Sequence, residues 1–231
     1  MIKLSLVIPC YNESKNLPLL LERCSLIANP EEVEVIIVDN GSNDSTQEVL
    51  QNILKNYPGC RSVRIEVNQG YGFGIMTGLK SAKGELMGWT HADLQTDPKD
   101  VLDALKFFNK SEDLIFCKGR RFGRPILDVL FTISMSFFET ILLGKLMWDI
   151  NAQPTIFSRH FFEKWQNPPN DFSLDLYAYY MAKKFKLKVC RFPVKFGERA
   201  YGISHWNIDW SSKWNFIKRT ISYSINLRRN V

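Results

Sequence analysis

The chain has 231 residues, 45% of them hydrophobic and 13% aromatic, enough to bury a sizeable core, which excludes a disordered protein. Its formal net charge of +6 permits contact with phosphates, nucleic acid or an anionic membrane without choosing among them. Cys10, Cys24, Cys60, Cys117 and Cys190 are odd in number and scattered without CxxC spacing, which excludes a disulfide framework and a zinc site and favours a reducing, cytoplasmic setting.

The opening MIKLSLVIPCYNE carries an apolar run too short for a signal peptide, with no cleavage-like site, so it reads as a buried first strand over 4–10 and export is not expected. A helix near 15–28 follows, with Leu17, Leu20, Leu21 and Cys24 on one face. The run VEVIIVD at 33–39 predicts the next strand, NGSNDS a turn, and STQE at 45–48 a capping box at the start of the second helix. RSVRIEV at 61–67 is a third strand, leading through NQGYGFG into a short helix near 72–82. ELMGWT then runs into HADLQTDP, where Asp97 and Pro98 look like the N-cap and first position of a helix near 98–109. DLIFC at 113–117 is the following strand. This alternation predicts an α/β fold with a mostly parallel central sheet and helices on both faces.

Ligands in such sheets gather at the carboxyl ends of the strands. Four loops should therefore border one crevice: Pro9 to Glu13, Asp39 to Ser42, Asn68 to Gly74, and His91 to Asp97. Gly70, Gly72 and Gly74 allow close backbone approach to a ligand, but GYGFG is not GxGxxG and no Walker A lysine pattern occurs, so a dinucleotide fingerprint is absent. Each loop also has a plainer explanation in turn and cap chemistry.

VIPCYNE, VIIVDNGSNDST, NQGYGFGIMTGLKSAKG and HADLQTDP, in this order over roughly 3–120, resemble the family 2 glycosyltransferases with the Rossmann-like GT-A nucleotide-sugar-binding fold. KGRRFGR at 118–124, DINAQPTIFSR at 149–159, FSLDLYAYYMAKK at 172–184 and FGERAYGISHW at 196–206 resemble the branch of dolichyl- and polyprenyl-phosphate sugar synthases. The resemblance implies inverting sugar transfer from a nucleotide-diphospho-sugar, a UDP- or GDP-sugar, assisted by a divalent cation, Mg2+ or Mn2+. It makes Asp93 the DxD carboxylate that meets metal and diphosphate, with Gln95 at an added polar-ligand position. Pro9, Tyr11, Glu13 and Asp39 match positions lining base and ribose, and Gly70 and Arg120 complete the donor side. Arg199, Gly202 and Ser204 match an RxxGxS pattern near the donor phosphates and acceptor.

Two histidines break the pattern. The chain reads HAD where relatives commonly have DAD, and His205 stands where a lysine is usual. His91 has three open roles: metal ligand through a neutral nitrogen, contact to the diphosphate when protonated, or packing beside Trp89.

The acceptor divides the chemistry, because a sugar hydroxyl needs a general base whereas a phosphate oxygen is already anionic. Asp175 is the candidate base for a hydroxyl acceptor, or else a polar residue in a first helical turn. A lipid phosphate would draw on Arg120, Arg121, Arg124 and Arg199.

Residues 125–148 are strongly apolar but interrupted by Asp128, Glu139 and Lys145, which suits helices packed on the domain or lying in an interface, with Phe131, Met135, Phe138 and Leu142 at helical spacing. The terminal stretch aligns Trp210, Trp214, Ile217, Ile221 and Ile225 beside Lys213, Lys218, Arg219, Arg228 and Arg229. It reads either as a basic interfacial helix or as a helix docked on the core. The expected organisation is a catalytic domain over 1–205 and a basic amphipathic helix over 206–231. Three functions stand: a transferase acting on a polyprenyl phosphate or lipid-linked saccharide at the inner, cytoplasmic face of an anionic membrane, a transferase with a soluble acceptor, and a non-catalytic nucleotide-sugar binder. Nucleic acid is the poorest fit, since no recognised motif accompanies the basic residues.

Overall fold

Strands that are covered on both faces read as unbroken apolar runs. In the computed structural model, which describes residues 2–108, 114–201 and 210–230, β1 (Leu4–Cys10) and β2 (Val33–Asn40) are buried along their whole length. With β3 (Cys60–Ile65) and β4 (Leu86–Trp89) they form the parallel half of a seven-stranded sheet ordered β3-β2-β1-β4-β6-β5-β7. β6 (Thr155–Ser158) runs antiparallel to both β4 and β5 (Ile115–Phe122), and β7 (Lys188–Lys195) is parallel to β5.

Helices cover both faces and divide the core in two. α1 (Leu17–Ser25) buries Leu17, Leu20, Leu21 and Cys24 against Leu4, Leu6 and Ile8. α2 (Thr46–Ile53) buries Leu50 in the same cluster. α3 (Tyr71–Ser81) lies on the opposite face with Val7, Ile36 and Val38. It packs so closely that a Cβ on Gly78 would stand 2.3 Å from Val7. A 3-10 turn over Pro98–Asp100 precedes α4 (Val101–Leu105), and Asp97 accepts from the Lys99 amide as an N-cap. α5 (Ile126–Leu143), the one-turn α6 (Arg159–Phe162), α7 (Leu174–Lys184) and α8 (Trp210–Asn230) complete the order.

Two local expectations are corrected. The capping box at 45–48 does not form: Ser45 has helix-like dihedrals and no side-chain cap bond. Its place is taken by Asp44, which accepts from the Thr46 amide, freeing the Thr46 hydroxyl to accept from the Glu13 amide. The predicted helix near 98–109 is a 3-10 turn plus five α-helical residues.

For α5, expected either packed on the domain or lying in an interface, the buried residues are Ser136, Glu139 and Leu143, while Phe131, Met135 and Leu142 are half-buried and Phe138 is exposed. Among the described side chains of α8, Ser224 and Leu227 are buried, and Ile225 is exposed. The side chains of Trp210 and Trp214 lie outside the described residues. The Ser224 hydroxyl donates to Glu139 Oε1 at 2.7 Å, and Oε2 is buried without a partner.

Burial raises the Glu139 carboxyl from 4.5 to about 7, with Ser224 opposing. Between those values the folded state keeps a proton that the unfolded chain has lost, so this residue's contribution is intact below pH 4.5 and is lost as pH rises through 7. Glu139→Gln should therefore stabilise the fold by about 1–3 kcal/mol at pH 8 and by almost nothing at pH 4.5. Thermal melts at both values check this; an equal gain at both would show that the carboxyl does not titrate across folding.

Candidate active site

The carboxyl ends of β1, β2 and β4 point the same way, and side-chain bonds lace their loops together. The Asn12 amide donates to the Ser42 hydroxyl, the Asn43 amide to Asn12 Oδ1, and the Glu13 amide to the Thr46 hydroxyl. Asp39 is buried at the end of β2, accepting from the Ser42 amide at 3.0 Å and from the Arg64 guanidinium beside it. Pro9 sits in the buried end of β1, and Tyr11 is exposed just beyond it. Gly70 takes a φ of 105° at the head of α3, and a Cβ there would meet the Asn170 carbonyl at 2.5 Å, so this entry fits glycine alone. Its own carbonyl accepts from Asn40.

The HADLQTDP segment forms the opposite wall. Asp93 Oδ1 accepts from the Gln95 amide at 3.2 Å, and Oδ2 meets Arg199 at 2.9 Å. Between them Leu94 holds a φ of 60°, a costly conformation for a large side chain that marks a backbone fixed for a purpose. Gln95 binds the Arg199 loop twice: its side-chain amide donates to the Gly197 carbonyl, and its own carbonyl accepts from the Gly197 amide. Glu13 lies within electrostatic reach of Asp93 and Arg199; burial raises its carboxyl and the hydrogen bond from Asn16 lowers it. Glu13, Asp39 and Asp93, remote in sequence, thus lie at the same carboxyl edge of the sheet, with Glu13 within electrostatic reach of Asp93.

His91 packs against Tyr71, with ring centroids 6.0 Å apart, while Trp89 turns to Phe157 and Trp165. Desolvation pushes the His91 ring below its ordinary value, against the pull of Asp93 and Asp175. The imidazole is therefore neutral at pH 7, which disfavours contact to a diphosphate as a cation and leaves a lone pair able to bind metal.

Asp175, in the first turn of α7, is buried beneath this wall. Its Oδ1 accepts from Lys118 Nζ at 3.3 Å and from the Gln153 side-chain amide at 3.1 Å. Gln153 also donates to the Tyr71 hydroxyl at 2.8 Å. Sequence reasoning missed Lys118, Gln153 and Tyr71; the signal available was a lysine inside the apolar run IFCKG.

The arginines separate. Arg121 is bound to Asp149 through its backbone amide and guanidinium, and Arg124 reaches the same carboxylate at 3.8 Å. Both stack over Phe196. They build the wall, and Arg120 remains exposed near the end of β5. Gly202, Ser204 and His205 lie outside the described residues.

The family model described as Glycosyl transferase family 2 matches residues 5–165. The chain belongs to that family. Undecaprenyl-phosphate 4-deoxy-4-formamido-L-arabinose transferases are among its relatives: that of Photorhabdus laumondii is 30% identical over 226 residues, covering 94% of this chain and 64% of the relative. That of Yersinia enterocolitica is 31% identical over 172 residues, covering 70% and 50%. The chain thus spans between half and two thirds of the length of these family 2 relatives. The fold is the GT-A type. A mannosyltransferase from Pyrobaculum calidifontis in complex with GDP-Man and Mn2+ superposes with a TM-score of 0.70 at 17% identity, covering 97% of this chain and 64% of that one. Glucosyl-3-phosphoglycerate synthase from Mycobacterium tuberculosis, in complex with Mn2+, UDP and glucosyl-3-phosphoglycerate, gives 0.72 at 16% identity, covering 98% and 80%.

Proposed function

We propose that this chain transfers a sugar, with inversion, from a UDP- or GDP-sugar to a polyprenyl phosphate at the cytoplasmic face of an anionic membrane. The observation that carries the reading is the state of Asp175. It is buried and its Oδ1 already accepts from Lys118 and Gln153, so it is poorly placed to reach a sugar hydroxyl. A phosphate acceptor needs no such base. Its oxygen attacks the anomeric carbon, the bond to the diphosphate breaks, and the nucleotide diphosphate leaves with the electron pair.

Glu13, Asp39, Pro9, Tyr11 and Gly70 would form the donor's base and ribose side, and Arg199 and Arg120 its phosphate side. Arg199 would exchange its bond to Asp93 for the developing charge on the diphosphate. The donor set suits a divalent cation that shares its shell with the diphosphate: a carboxylate at Asp93, a neutral imidazole at His91 and the amide oxygen of Gln95. When bound, Mg2+ or Mn2+ would neutralise charge on the leaving group as a Lewis acid.

Incubating the chain with polyprenyl phosphate in vesicles and each of several UDP- and GDP-sugars tests the reading, with and without Mn2+. Release of nucleotide diphosphate that requires the lipid is expected with one base. Equal release with a soluble sugar acceptor in place of the lipid would transfer the base role back to Asp175. No release and no ligand-induced rise in melting temperature with any donor would defeat the enzymatic reading.

A further inference from the structure

Lys118 is a lysine with no exposed surface, 0% for its side chain against 4% for its partner Asp175. Its ammonium donates to the Thr155 hydroxyl at 2.8 Å and faces Asp175 at 3.3 Å. A buried ion pair is a weak source of stability, because desolvating both charges offsets their attraction, and a packed apolar pair of the same volume does as well or better. Retaining it in the middle of β5 therefore calls for another use.

The contacts name that use. Asp175 Oδ1 is shared between Lys118 and the Gln153 amide, and the same amide holds the Tyr71 hydroxyl. The assignment of that amide is fixed by its neighbour: a carboxylate accepts, so the NH2 faces Asp175 and the carbonyl oxygen of Gln153 is left buried without a partner. Tyr71 stacks on Phe172 at 4.7 Å and 12°, and its other neighbour is the His91 ring. His91 begins the HAD triplet. A continuous set of contacts thus runs from Lys118 through Asp175, Gln153 and Tyr71 to the wall that carries Asp93.

We infer that Lys118 is a positioning residue for the transfer reaction, anchoring the Asp175 side chain so that Gln153 and Tyr71 fix His91 and the HAD wall against the donor. The inference rests on the proposed transferase function. Without the ammonium, Asp175 would be a buried carboxylate with one fewer donor, free to swing away from Gln153. The charged groups around Lys118 are Asp175 on α7, Arg191 on β7 and Asp149 before β6. Desolvation outweighs Asp175 and brings the Lys118 ammonium down to about 8, so the pair loses its cation just above neutral pH.

The test compares wild type with Lys118→Met, Lys118→Arg and the double variant Lys118→Met with Asp175→Asn, which removes both charges and leaves no orphaned ion. The double variant should melt within a few degrees of wild type yet lose about 30-fold or more in kcat, with the donor KM nearly unchanged. Wild-type kcat should fall as pH passes 8, and Lys118→Arg, whose guanidinium keeps its proton, should lose that alkaline limb. A folded double variant within threefold of wild-type kcat, or an alkaline limb unmoved in Lys118→Arg, overturns the inference alone. A wild type that transfers nothing to polyprenyl phosphate overturns it together with the function on which it rests.

Discussion

Asp93→Asn should lower kcat/KM for the nucleotide-sugar by about 100- to 1,000-fold while leaving the fold intact, the loss seen when one preorganised electrostatic group is removed from a transfer site. The substitution keeps the acceptor for the Gln95 amide, so the Leu94 backbone and the loop geometry have no cause to change. What disappears is the negative charge opposite Arg199 and the only carboxylate of the HAD triplet. His91 and Ala92 bring no carboxylate, so no second anion is present in the triplet to compensate. Melting temperature, donor KM and kcat measured together separate the cases. An Asp93→Asn enzyme within tenfold of wild type would mean that the diphosphate is held elsewhere. Arg199→Ala should fall in the same range, and the double variant should lose less than the two single losses combined, since the two side chains touch.

How much of this was legible in the chain follows from what burial does to sequence. β1 and β2 announce themselves because both faces are covered, so LSLVIPC and VEVIIVD are continuous apolar runs. The convergence of Glu13, Asp39 and Asp93 was legible for the same reason, since parallel strands bring their carboxyl ends to one edge. β6 was not, being four residues long and paired antiparallel with strands well removed in sequence. Lys118, Gln153 and Tyr71 were hidden by a different cause: a lysine, a glutamine and a tyrosine carry no spacing signature when they come from β5, the segment before β6 and α3. In α5, periodicity showed that two faces exist but could not show which one is turned inward. The contacts reveal it: Glu139 meets Ser224 of α8, and Ser136 accepts from the Asp149 amide.

The exposed apolar face of α5 carries the second large prediction. A helix of a soluble domain turns its apolar face to the core, whereas α5 leaves Ile126 and Leu127 75% exposed, Phe137 67% and Ile141 64%. Leu130 is exposed on the same helix, and Leu146 and Trp148 follow it. Among the described residues α5 alone is long and apolar enough to cross a membrane, and only 11% of it is buried. Its buried polar side, anchored through Glu139 and Ser224, suits a helix lying in the surface of a bilayer better than one spanning it. α8 adds exposed Lys218, Arg228 and Arg229, which match anionic headgroups, while Arg219 pairs with Asp171 at 3.4 Å. Inserting even two large apolar side chains contributes about 3–5 kcal/mol, and charges in their place oppose insertion further. Leu130→Glu with Phe137→Glu should therefore weaken binding to anionic vesicles by at least about 100-fold without lowering the melting temperature, because neither side chain is part of the core. High salt should weaken wild-type binding only in part, since the apolar term is not screened. Co-sedimentation with vesicles of mixed anionic and neutral lipid reads both effects. A wild type that stays in the supernatant at low salt overturns the lipid assignment. If analytical ultracentrifugation then shows a dimer that the double variant converts to monomer, the face is covered by a second copy of this chain instead.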